Sequence, residues 1–164
     1  MFNALKSFIA EVGGKEPLTR RFDEQDCRLA AAALLVHIAN VDGYADLAEQ
    51  RRLKTIIESR FGLDPRRTAE LIASAERRDR EAVDFYHFTS LLKRALDDGD
   101  RQIIVEMLWD IAYADGQADE FEENAVWQIA ELLGVSARDR VLLRQRVQAR
   151  KRKEDFVSPW SMPD

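Results

Sequence analysis

With 164 residues, 46% of them apolar, the chain is long enough for one domain with a real core. Its net charge of −5 excludes a surface given over to nucleic acid, which calls for a basic excess. A single cysteine, Cys27, excludes an internal disulfide framework and fits a reducing compartment, and Asp23, Glu24 and Asp26 beside it oppose thiolate formation.

The chain opens with "MFNALKSFIAEV". Phe2, Leu5, Phe8, Ile9 and Val12 share one helical face, broken by Asn3, Lys6, Ser7 and Glu11. This is an amphipathic helix rather than the unbroken apolar core of a signal peptide. With its loop it fills residues 1–22, ahead of the main domain at 23–150. The longest apolar run, "LAAAALLV", is far too short to span a bilayer, so the expected location is cytoplasmic. The N-terminal helix offers contact with the domain, with a partner protein or, peripherally, with the inner membrane. Lys6 and Lys15 supply little attraction to anionic lipid, which favours protein contact.

Asp23 or Asp26 can cap a helix running to about residue 40. It is apolar nearly all round (Leu29, Ala33, Leu34, Val36, Ile38), as a buried central element must be. Asp46 is placed to cap the next helix, which carries Leu53, Ile56, Ile57 and Phe61 and stops at Gly62. Asp64 caps a third, with Pro65 in its first turn, and that helix fades in "ERRDRE". Asp84 opens a helix with Phe88, Leu91, Leu92 and Leu96, closed by "DDGD". Residues 100–114 are again strongly apolar. Asp119 caps a helix with Val126, Ile129 and Leu132, Gly134 stops it, and Ser136 caps the last one. The basic stretch "RDRVLLRQRVQARKRKED" in that helix reads as a solvated face. "DFVSPWSMPD", with two prolines in a tail at 151–164, is not expected to continue that helix; it either straps back across an apolar groove or forms a disordered partner-binding tail.

The order buried helix, corner, amphipathic helix, Gly stop and capped helix occurs twice, at about 23–78 and 98–150. "LVHIANVDGYADLAEQ" and "LWDIAYADGQADEFEE" share eight of sixteen positions without a gap. Two units are too few for a solenoid. The expected fold is therefore all-α, a pseudo-two-fold bundle of about seven core helices built from two three-helix repeats.

Each copy carries Asp-Gly-x-Ala-Asp-x-x-Glu: Asp42, Asp46 and Glu49, then Asp115, Asp119 and Glu122. Two readings fit. Asp46-x-x-Glu49 and Asp119-x-x-Glu122 have capping-box spacing at the positive end of a helix, and Asp-Gly is a turn dipeptide, so every residue has a structural task. Alternatively, with Gly43 set at the sixth position of a calcium loop, Asp42, Asp46 and Glu49 fall at the fifth, ninth and twelfth. The first position is then Ile38, or Ile111 in the second copy, so each corner is half of an EF-hand and binds a hard ion weakly. Brought together by pseudo-symmetry, the six carboxylates repel unless protonated or bridged by a cation.

The doubled corner, the apolar helix before it and the Gly-stopped helix after it resemble the tellurite-resistance protein B (TerB-like) family over residues 23–150. "ADGQADEFEENAVWQIAELLGVS" is the more family-like copy. The resemblance implies a compact all-α fold, a bacterial stress or envelope-associated role and no enzymatic activity. It also implies a divalent-cation site (Ca²⁺, Mg²⁺ or Mn²⁺) at Asp42, Asp46, Glu49, Asp115, Asp119 and Glu122. The residues point the same way on catalysis. His37 and His87 read as satisfied core or interface histidines, and no nucleophile–base pair, phosphate loop or HExxH spacing is present. The functional expectation is a stress-response module that binds a cation weakly and acts through partner proteins. The alternatives are a metal-free interaction scaffold and, further off, a metal-dependent hydrolase.

Overall fold

A computed structural model describes residues 24–41, 47–82 and 85–157. The N-terminal amphipathic helix, Asp23, the corner at 42–46, Asp84 and the tail from 158 lie outside the described residues. Seven helices follow: α1 (Glu24–Asn40), α2 (Leu47–Phe61), α3 (Pro65–Glu81), α4 (Tyr86–Ala95), α5 (Asp98–Ala112), α6 (Glu120–Leu132) and α7 (Ala137–Val157). Among the described residues there is no strand.

The local signals act where the sequence places them. Asp64 Oδ1 accepts the Arg67 amide at 2.7 Å, with Pro65 at the start of α3. Asp119 and Glu122 complete a reciprocal capping box on α6, and Ser136 Oγ accepts the Asp139 amide at the start of α7. Gly62 and Gly134 end α2 and α6 with φ of 64° and 77°, the left-handed region that side chains with a Cβ avoid.

Three boundaries differ from the sequence reading. "DDGD" starts a helix as well as ending one: Asp97 caps α5 by accepting the Asp100 amide at 2.9 Å, and Gly99 lies inside α5. "ERRDRE" stays helical through Glu81. The last helix runs to Val157 rather than about 150. Proline disfavours helix at the residue before it, and the first proline of that stretch is Pro159.

The core is built on two central helices. Ala30 to Val36 of α1 and Ile103 to Ala112 of α5 are buried without interruption, and α1 packs directly on α5. Alanines at 30–33 leave room for α1 to be covered from several sides, by α3, α4, α5 and α2. α3 packs on α1 as α7 packs on α5, and α2 leans across onto α5 as α6 leans onto α1. These matched contacts are the approximate two-fold expected of two three-helix repeats, and α4 joins them by packing on α1 and α6. The crossing of α2 and α6 over the centre is what carries the start of each towards the other repeat.

Candidate functional site

The acidic corners meet through their glutamates. Glu49, one turn into α2, and Glu122, one turn into α6, are each only 3% exposed, and their carboxyls lie within hydrogen-bonding reach of each other. Glu122 Oε1 also takes the Asp119 amide at 3.4 Å, while Oε2 is buried without a donor N–H or hydroxyl. Burial, Glu49 and Asp119 together push the Glu122 carboxyl up to about 9. Two carboxyls can hydrogen-bond only when one keeps its proton, so near neutral pH the pair shares one.

The other candidate ligands are distributed unevenly. Asp119 is half-buried beside Glu122, its Oδ1 accepting the Glu122 amide at 2.7 Å. Asp115 is exposed and occupied locally, taking the Gln117 amide at 3.1 Å in the turn that Gly116 completes. Asp42 and Asp46 lie outside the described residues. Among the described residues, no group of three or more His, Cys, Asp or Glu side chains stands in an arrangement that could hold a metal ion. The described part of the site is thus a buried acid pair with one flanking carboxylate.

A second charged constellation had no place in the sequence reading. Glu106 and Asp110, four residues apart on one face of α5, are buried. Arg52 of α2 grips Asp110 with two bonds, Nε to Oδ1 at 3.0 Å and Nη2 to Oδ2 at 2.8 Å. Lys151 Nζ of α7 lies 2.9 Å from Asp110 Oδ1. Arg150 Nη2 lies 3.1 Å from Glu106 Oε1, and Arg146 Nη1 3.7 Å from Oε2. The arginines and lysine therefore hold Asp110 below the usual carboxylate range despite its burial. The basic stretch of α7 is accordingly no uniform solvated face, because Arg146, Arg150 and Lys151 turn inward to α5. The available signal was a pair of acids at i, i+4 inside the apolar run "IIVEMLWDIA", which have to find cations to be buried.

The histidines separate. His37 is half-buried and satisfied, its Nδ1 2.8 Å from Asp79 Oδ1 on α3 and its ring edge-on to Phe85 at 4.3 Å. It lines a cleft of about 580 Å³ between α3, α4 and α6. His87 is exposed, resting edge-on to Phe88, and so is no core histidine.

Among the described residues, no helix is long and apolar enough to cross a membrane. Neither curated proteins nor solved structures gave a match to the chain. The family comparison did: the model for tellurite resistance protein TerB matches residues 28–145, from the first turns of α1 into the first half of α7, and includes both corners. With a matched span of that length, carrying both central helices and both acidic corners, this chain belongs to the TerB family.

Proposed function

We propose that the chain is a non-enzymatic TerB module of the bacterial stress response, acting in the cytoplasm through partner proteins. Its doubled acidic corner binds a divalent cation weakly. The observation that carries this reading is the Glu49–Glu122 pair, one carboxyl from each repeat, buried together and held apart from mutual ionisation. Glu122 Oε2 is a buried oxygen with no donor, which suits a hard cation that takes oxygen ligands. Glu49 and Glu122 would offer it the first oxygens, with Asp42, Asp46, Asp115 and Asp119 as the remaining candidates. A bound cation would supply the positive charge that the shared proton supplies otherwise. Binding therefore competes with that proton and strengthens as pH rises.

Calorimetric titration with Ca²⁺, Mg²⁺ and Mn²⁺ at physiological salt tests this. The expected result is weak binding that releases about one proton per ion near neutral pH, lost in Glu122→Gln. The absence of heat and of thermal stabilisation at millimolar ion would leave the scaffold reading in its place. One observation favours that second reading: the capping box of Asp119 and Glu122 already gives both carboxyls a structural task. Metal-dependent phosphatase or nuclease turnover would replace both readings with a hydrolase.

A further inference from the structure

We propose that the cleft between α3, α4 and α6, with His37 of α1 in its wall, takes an organic ammonium group joined to an apolar arm. Its volume of about 580 Å³ is that of a small-molecule site and far more than a bare ion fills. The lining is mixed, as such sites are. Phe85, Tyr86 and Leu132 offer two rings and an aliphatic side chain, and Asp79, Gln128 and Glu131 offer polar groups. Tyr86 and Leu132, 64% and 37% exposed, are two of the five large apolar side chains that the described residues leave in water. Their meeting at one cleft marks surface that a ligand would cover.

Charge decides the class of ligand. Among the described residues, two carboxylates line the cleft and no lysine or arginine does. Asp79 Oδ1 lies 2.8 Å from His37 Nδ1, and because a carboxylate only accepts, Nδ1 carries the hydrogen. Asp79 Oδ2 has no partner among the described residues, and the side chains of Gln128 and Glu131 have no hydrogen bond or ion pair there. The helix ends agree. His37, Asp79 and Glu131 stand in the last turns of α1, α3 and α6, the negative ends of three dipoles, against one positive end at Tyr86 of α4. Arg101 answers part of the α6 end by donating to the Leu133 carbonyl at 3.1 Å. An oxyanion would be repelled here, and a metal ion would lack a third ligand. An ammonium group meets neither obstacle. It carries three donors for the open oxygens of Asp79, Glu131 and Gln128, and neighbouring aromatic rings attract it further. None of the described corner carboxylates lines the cleft, so the inference stands apart from what the corners bind.

The test uses the full chain at constant ionic strength, with phenethylamine as probe and phenethyl alcohol and phenylacetate as its neutral and anionic counterparts. The amine is expected to bind saturably at about one site per chain, the alcohol about tenfold more weakly, and phenylacetate not at all. Glu131→Gln, a change at an exposed residue, should weaken the amine about fivefold, while Glu120→Gln at the other end of α6 should leave it unchanged. The chain has two histidines, which give a readout in the wild type. Phenethylamine should shift the ring resonances of His37 and leave those of His87, which does not line the cleft, in place. Nα-acetyl-lysine amide binding more tightly than phenethylamine assigns the cleft to a lysine of a partner protein, and weaker binding assigns it to a small aromatic amine. Equal affinity for amine and alcohol, an unchanged affinity in Glu131→Gln, or His87 shifts as large as those of His37 would overturn the proposal.

Discussion

The two central helices occupy equivalent places in their repeats, yet they differ at the polar position that matters most. His37 of α1 and Asp110 of α5 align in the repeat. Each reaches the third helix of its own repeat, His37 to Asp79 of α3 and Asp110 to Lys151 of α7. The contact is kept and its polarity is reversed, imidazole to acid in one half and acid to ammonium in the other. The second half goes further, since Arg52 crosses from the first repeat to take Asp110 as well. Glu49 and Glu122 teach the converse. They align too, but meet each other, because the crossing of α2 and α6 brings the start of each to the pseudo-two-fold. Equivalent residues away from the axis are free to diverge, while those on it form a pair whose chemistry must tolerate two like groups.

The acid pair predicts the largest effect. Glu122 keeps its proton to about 9 when folded and releases it nearer 4.5 when unfolded. The stability this lends is complete below pH 4.5 and is lost as pH rises towards 9. Urea denaturation should show stability declining across that window by up to about 1.4 kcal/mol per pH unit. Glu122→Gln and Glu49→Gln should both flatten the slope, as each leaves a single ionisable carboxyl. A wild-type slope unchanged by either would dissolve the pair.

Asp110→Ala should follow, costing about 3 kcal/mol, because it leaves Arg52 and buried Lys151 facing no carboxylate at that position. Asp79→Ala should cost about 1 kcal/mol or less, since Asp79 is itself more exposed, 19% against 3% for Asp110. Similar losses from the two would mean that the polarity reversal has no energetic counterpart.

At the Gly stop of the second repeat, Gly134→Ala should cost about 1–2 kcal/mol for the left-handed backbone. The added methyl also comes 3.2 Å from Lys93 Cε and 3.3 Å from Arg101 Nη1, flexible groups able to move. Smallest, and specific to the first repeat, is Asp64→Ala, which removes the α3 cap for about 1 kcal/mol in thermal denaturation. No loss there would show that Pro65 alone fixes the start of α3.

Helix existence was legible because its causes are local. Caps at Asp64, Asp119 and Ser136, stops at Gly62 and Gly134, and the apolar character of α1 and α5 are each written in a few consecutive residues. The misread boundaries were local conflicts: "DDGD" serves as a stop and a cap at once, and "ERRDRE" stays helical though it carries no apolar residue to mark a buried face. The candidate site was legible as a composition and only partly as a place. Spacing named Glu49, Asp119 and Glu122, but it also named Asp115, which spends its carboxylate on its own turn.

The amino-acid sequence by itself determined the all-helical class, the doubling and the presence of two acidic corners, since periodicity, capping and turn chemistry act within one or two turns. Only the tertiary structure decided which charges meet. Glu49 with Glu122, Asp110 with Arg52 and Lys151, and His37 with Asp79 pair across 41 to 73 residues of chain. Burial makes those pairings strong, and burial depends on how the helices cross, which no short stretch of sequence contains.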